Sequence, residues 1–189
     1  MALKRAIAVR LDRVKKAFVF LDKFDVFSLF VGVGMLCFGD LISKYIVFSY
    51  QSEGVYVLPF FNIIKARNFG ISFGMFHESG SIVKMLILFF NVAVVIYLLT
   101  LFKNKKKYSR PMLFTSSLEC IIGGALGNMI DRIYCGFVHD FIDLHIGSIH
   151  WPTFNVADIG VCSGVGILIF CELFMRVDYD KKRCKKIEY

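Results

Sequence analysis

No CxxC pair and no HExxH stretch occurs in the chain. The two commonest sequence signatures of zinc are therefore missing. The six cysteines, at positions 37, 120, 135, 162, 171 and 184, are scattered and read as free, buried thiols. No internal repeat and no low-complexity linker is visible, which argues against a solenoid or a string of tethered modules. Basic residues are scarce in two long stretches. Residues 49–81 hold only Lys65 and Arg67, and residues 131–154 only Arg132. The net charge of +8 would otherwise suggest nucleic acid. Its distribution argues for another reading, because seven Lys or Arg fall in residues 1–24, five in 103–110 and six in 176–189.

Apolar residues are abundant instead. They make up 57% of 189 residues, with 21 phenylalanines and a mean hydropathy of +0.62. A soluble domain this small cannot hide that much apolar surface, so lipid must be part of the solvent. Four windows, 26–48, 82–102, 112–130 and 159–177, have the length needed to cross a hydrocarbon core of about 30 Å. The third is the least apolar because Glu119 lies within it. With four spans, both termini and the middle connection share one side. The positive-inside rule assigns that side to the cytoplasm.

The expected fold is an all-α membrane protein, a four-helix transmembrane bundle occupying residues 25–177. A basic cytoplasmic segment, 1–24, precedes it, either amphipathic on the inner leaflet or a solvated tail. A basic cytoplasmic tail, 178–189, follows. The connection from Ser49 to Gly80 is rich in Val, Ile, Phe and Tyr and is broken by Pro59, Gly70 and Gly74. That composition predicts two or three short strands, forming a small β-sheet element on the extracytoplasmic side. Residues 134–154 form the second outer connection, with Trp151 as an interfacial anchor.

Several polar residues stand where lipid should be. Asp40 and Lys44 are spaced i, i+4 and share a helix face. They read as a charge pair near a site, or as an interhelical or snorkelling pair. In "GGALGNMIDR", Gly123 and Gly127 allow another helix to approach closely. Asn128, Asp131 and Arg132 follow on one face of the same helix and suggest a hydrogen-bonded network. Asn155 is a fair helix N-cap, which places Asp158 in the first turn of the fourth helix. Asp140 lies 18 positions earlier, among Phe137, Val138, Phe141 and Ile142. Two carboxylates meeting in a partly dry site cannot easily both ionise, so such a pair holds an acid and a base near neutral pH. That suits metal-free hydrolysis of a peptide bond. His139, His145 and His150 match no recognised zinc spacing, and no metal or other cofactor is expected.

The ordered motifs "DLISK", "NFGISF", "GGALGNMIDR", "VHDF" and "FNVAD" resemble lipoprotein signal peptidase, also called signal peptidase II, over about three quarters of the chain. The resemblance implies a bacterial inner-membrane aspartic protease, with Asp140 and Asp158 as the catalytic pair. It further implies that Asp40, Lys44, Asn68, Gly70, Asn128, Asp131, Arg132 and Asn155 shape the site or position the substrate. The expected substrates are diacylglyceryl-modified prolipoproteins, cut just before the lipidated cysteine. Membrane lipid is an expected partner, nucleic acid is not, and nothing demands more than a monomer. Ser72 stands where the family usually carries Ala. The alternatives are a small proton-coupled transporter, using Asp40, Lys44, Glu119 and Asp158 as a relay, and a non-enzymatic membrane adaptor.

Overall fold

The structure, a computed structural model, describes residues 2–50, 54–69 and 81–176, with the backbone alone for 2–24 and 81–84. Helix α1 runs Ala2–Ser49, α2 Ser81–Phe102, α3 Pro111–Cys135 and α4 Val156–Phe174. Strands β1 (Gly54–Leu58) and β2 (Phe61–Asn68) lie between α1 and α2, and β3 (Val138–Ile146) and β4 (Ile149–His150) between α3 and α4. All four helices include a stretch long and apolar enough to cross a membrane. The protein is a multi-pass membrane bundle with a four-stranded antiparallel sheet in the order β1-β2-β3-β4. Four apolar helices and a small sheet, the arrangement that hydropathy and composition predict, are what the chain adopts.

Helix α3 is the centre. Half of its span is buried, against about a fifth of each of the others. Leu118, Ile121 and Ile122 join Leu29 of α1, Leu98 of α2 and Cys171 of α4 in one apolar cluster. Small residues bring the backbones together. A side-chain carbon at Gly123 would meet Leu36 and the Val33 carbonyl of α1, and one at Gly124 would meet the Ala157 carbonyl of α4. The small-residue face expected from sequence thus serves two neighbouring helices. At Gly127 an added carbon would lie 2.5 Å from the Asp40 carboxylate. That carboxylate is held by an ion pair and a backbone amide, and it has nowhere to retreat. Gly127→Ala should therefore destabilise the bundle by about 1–3 kcal/mol, read as a lower thermal midpoint in detergent.

Residues 135–154 depart from the expectation of a plain loop. Helix α3 ends at Gly136, whose φ of 76° is left-handed and needs glycine. The chain then enters β3, which pairs with β2 so that Asp140 stands opposite Ala66 and Asp143 opposite Asn62. A two-residue turn, with Gly147 at φ 59°, leads into β4. Aspartates occupy buried positions of β3, so the usual apolar alternation of a strand is hidden in the sequence.

The far end of the bundle is also tied. Tyr108 stacks on Phe114 at 4.0 Å, and its hydroxyl donates to Glu172. Burial, reinforced by that carboxylate, pushes Tyr108 up to about 12. Arg176 lies 3.4 Å from Glu172, as their i, i+4 spacing predicts, and Lys105 lies 2.5 Å from Asp25. Of the cysteines, Cys37 and Cys171 are buried free thiols, whereas Cys135 and Cys162 are exposed, which corrects the expectation of burial for those two. Cys184 and the tail 178–189 lie outside the described residues.

Candidate active site

The polar side chains of three helices and two strands converge at the sheet end of the bundle. Lys44 is 2% exposed and stands at the centre of a buried cluster. Its Nζ donates to Asn128 Oδ1 at 2.9 Å and lies 3.0 Å from Asp131 Oδ2. It also lies 2.6 Å from Asp40 Oδ2, as an ion pair off the hydrogen-bonding axis. The other Asp40 oxygen accepts the Ala157 backbone N–H at 2.8 Å, at the start of α4. One lysine thus joins α1 to α3, and its partner Asp40 joins α1 to α4.

Asn155 connects this cluster to both carboxylates. As N-cap of α4 it accepts the Asp158 backbone N–H at 3.0 Å, and its own N–H donates to Asp158 Oδ2 at 3.2 Å. This is a complete capping box. The Asn155 amide also donates to Asp140 Oδ1 at 2.7 Å and to Asn128 Oδ1 at 3.1 Å. Asn128 in turn donates to Asp158 Oδ1 at 2.9 Å. Asn68, at the end of β2, donates to Asp140 Oδ2 at 3.0 Å. Asp158 therefore comes from a helix start and Asp140 from a strand.

The two carboxylates have different surroundings. Asp140 is 2% exposed. Burial first, then the negative charge of Asp158, pushes it up to about 6, against the pull of its bonds from Asn68 and Asn155. Asp158 is half-buried and lines a cavity of about 400 Å³. Asn68, Asn128 and Arg132 supply the polar wall of that cavity, and Val138, Trp151, Pro152, Phe154 and Ile159 its apolar wall. Arg132 is close enough for its positive charge to act on Asp158, Asp140 and Asp131. A buried acid beside a cavity-facing carboxylate can activate water against a carbonyl without a metal.

Asp143 is the third carboxylate of the region and lies apart from this pair. Burial alone would raise it, but bonds from His150 and Asn62 hold it below the usual range. His150 Nδ1 is 2.8 Å from Asp143 Oδ1, and Asn62 donates to the other oxygen at 3.0 Å. Sequence reasoning missed this sheet lock; the signal for it is the cross-strand register of Asn62 with Asp143. The three histidines do not converge. His145 stacks on His150, while His139 packs between Phe48 and Phe137 beside Asp131. Asp40, Lys44, Asn68, Asn128, Asp131, Arg132, Asn155, Asp140 and Asp158 all meet at this end. Gly70 lies outside the described residues. So does a GxSxG spacing at residues 70–74, the pattern of a serine nucleophile turn.

Sequence comparison matches residues 32–174 to a peptidase family described as signal peptidase (SPase) II. The chain is 43% identical to the lipoprotein signal peptidase of Actinobacillus succinogenes over 132 residues, 69% of this chain and 80% of that protein. It is 43% identical to the protein of the same name from Anaplasma phagocytophilum over 141 residues, 72% of this chain and 86% of that one. A bacterial membrane enzyme solved by the in meso method at 2.3 Å superposes with a TM-score of 0.66 at 29% identity, covering 77% of this chain and 87% of the other.

Proposed function

The chain belongs to the signal peptidase II family, and on that premise we propose that it is an aspartic endopeptidase acting on diacylglyceryl-modified prolipoproteins. It removes the signal peptide by cutting just before the lipidated cysteine. The observation that carries this reading is the asymmetry of the pair: buried Asp140, pushed up to about 6, beside cavity-facing Asp158. Asp158 takes a proton from water, and the resulting oxygen attacks the scissile carbonyl carbon. Asp140 gives its proton to the carbonyl oxygen, forming a gem-diol. The proton held by Asp158 then passes to the amide nitrogen, the C–N bond breaks as one gem-diol hydroxyl returns its proton to Asp140, and a carboxylic acid and an amine leave with the pair restored. Arg132 offers positive charge where the oxygen becomes negative. Asp40, Lys44, Asn128 and Asp131 hold Asn155 and Asp158 in place, and Asn68 orients Asp140.

The enzyme works in the bacterial inner membrane, with the sheet end outside and both termini in the cytoplasm. Residues 25–177 form the peptidase domain, flanked by basic segments 1–24 and 178–189, and a monomer suffices. The scissile bond of a lipid-tethered substrate lies at the membrane surface, which is the depth of a first-turn carboxylate on a spanning helix. The polar groups gather at one end of the bundle, where a transporter would place them near mid-depth.

The direct test follows a lipidated prolipoprotein and its unlipidated form by gel mobility with purified enzyme in detergent. Cleavage of the lipidated form alone is expected, and Ser72→Ala should keep it. Loss of activity in that variant, with both aspartates intact, would transfer the chemistry to serine. The pH profile adds a second check. Asp140 must carry its proton, so kcat/KM should fall as pH rises through about 6. Asn68→Ala removes a bond that favours the ionised form, and the alkaline limb should move to higher pH. A limb that stays put would mean that Asp140 does not govern it.

A further inference from the structure

We propose that Asp131, Cys135 and His139 form a binding site for a soft divalent cation of the zinc class. Asp131 and Cys135 are one turn apart at the end of α3. The left-handed Gly136 turns the chain back, so that His139 at the start of β3 faces them. One ligand atom from each residue lies within 4.8 Å of the other two. His139 Nδ1 is 3.1 Å from Asp131 Oδ1. Two such ligands on tetrahedral zinc are roughly 3.4 Å apart, so the pair is nearly in position. His139 Nδ1 is buried and makes no hydrogen bond among the described residues, its approach to Asp131 being an ion-pair contact only.

The surroundings suit a metal in three further respects. A cavity of about 380 Å³ reaches Lys44, Asp131 and His139 between Tyr45 and Phe48, on the α1 side of the cluster. It gives an ion a way in and leaves space for water as a fourth ligand. The other oxygen of Asp131 is already oriented by Lys44 and by the His139 backbone N–H at 3.1 Å, the outer support that ligating carboxylates need. The carboxylates of Asp40 and Asp131 also draw a cation to this place, against the positive charges of Lys44 and Arg132. Mixed sulfur, nitrogen and oxygen donors favour zinc over magnesium or calcium. A bound ion would fasten the end of α3 to the residue just before Asp140. Whether the chain cleaves prolipoproteins has no bearing on this site.

The test uses the full-length protein in detergent, stripped with EDTA and titrated calorimetrically with Zn²⁺, with Co²⁺ as a spectroscopic probe. Cys135→Ser alters an exposed thiol, and His139→Phe keeps an aromatic ring between Phe48 and Phe137. Cys162→Ser, an exposed thiol in the other cavity, is the control. One zinc per chain is expected, with a higher thermal midpoint. Each ligand variant should weaken binding at least about tenfold. Co²⁺ should give a thiolate charge-transfer band that is lost in Cys135→Ser and kept in Cys162→Ser. Absence of stoichiometric zinc binding overturns the proposal, as does binding that either Cys135→Ser or His139→Phe leaves unchanged.

Discussion

Asp158→Asn and Asp140→Asn should each abolish cleavage of a lipidated prolipoprotein while the protein remains folded. Each removes one half of the proposed acid–base pair, and general acid–base catalysis is worth on the order of 10²–10⁴ in rate. Losing both the proton acceptor and the electrostatics of its charge puts the expected loss at the upper end. The fold should survive for separate reasons. At position 158 the new amide keeps one oxygen for the Asn155 N–H of the capping box. At position 140 the new side chain is neutral in a place that disfavours charge. Asp140 binds its proton more tightly folded than unfolded. The stability this lends is complete below the ordinary carboxylate value of 3.8 and is lost as pH rises towards about 6. At pH 8 the Asp140→Asn protein should therefore match or exceed the wild type in thermal midpoint. Retained cleavage in either variant would break the pairing of Asp140 with Asp158. An unfolded Asp140→Asn protein would show that its carboxylate is needed for structure.

Lys44→Met should be the most destabilising single change in the molecule. The new side chain is similar in length and removes only the charge and its hydrogen bonds. It leaves Asp40 (0% exposed) and Asp131 (6% exposed) as buried carboxylates with no lysine. Breaking a buried ion pair from one side costs about 3–5 kcal/mol. Two carboxylates depend on this one ammonium, so the upper figure applies. Thermal unfolding in detergent reads the loss. Asp40→Asn in the Lys44→Met background should recover part of it, because the two changes act on one network and are not additive. A Lys44→Met protein as stable as the wild type would mean that water or another cation fills the place of the ammonium.

Much of this was legible from the chain because it rests on short-range rules. The four apolar helices follow from windows of about 20 residues, each of which satisfies its own backbone in lipid. Asn155 and Asp158 are three positions apart, so their capping box is written locally. Asp40 and Lys44 announce themselves by standing one turn apart in an apolar run. What resisted reading depends on contacts far along the chain. Asp40 meets the Ala157 amide 117 positions away, and Asn62 meets Asp143 81 positions away. Strand β3 is hidden in the sequence because Asp140 and Asp143 sit where apolar residues normally mark the inward face. Glu119 is similar: it packs against Gly32 of α1, which only the assembled bundle brings near. Cys162 falls within an apolar window, yet it lines the cavity beside Asp158, a placement that only the assembled bundle decides.

The bond from Asp40 to the Ala157 amide has a bearing on how the molecule is made. A chain threaded into the bilayer from its N-terminus delivers Asp40 and Lys44 long before α4 leaves the ribosome. Being one turn apart and opposite in sign, they can neutralise each other during that wait. The oxygen that Asp40 will offer to α4 stays idle until the last helix arrives. Its arrival brings Asn155 and Asp158 in the same motion, so the bundle locks and the second carboxylate appears together. A nascent chain stalled before α4 has Asp140 but lacks Asp158, the other half of the proposed pair.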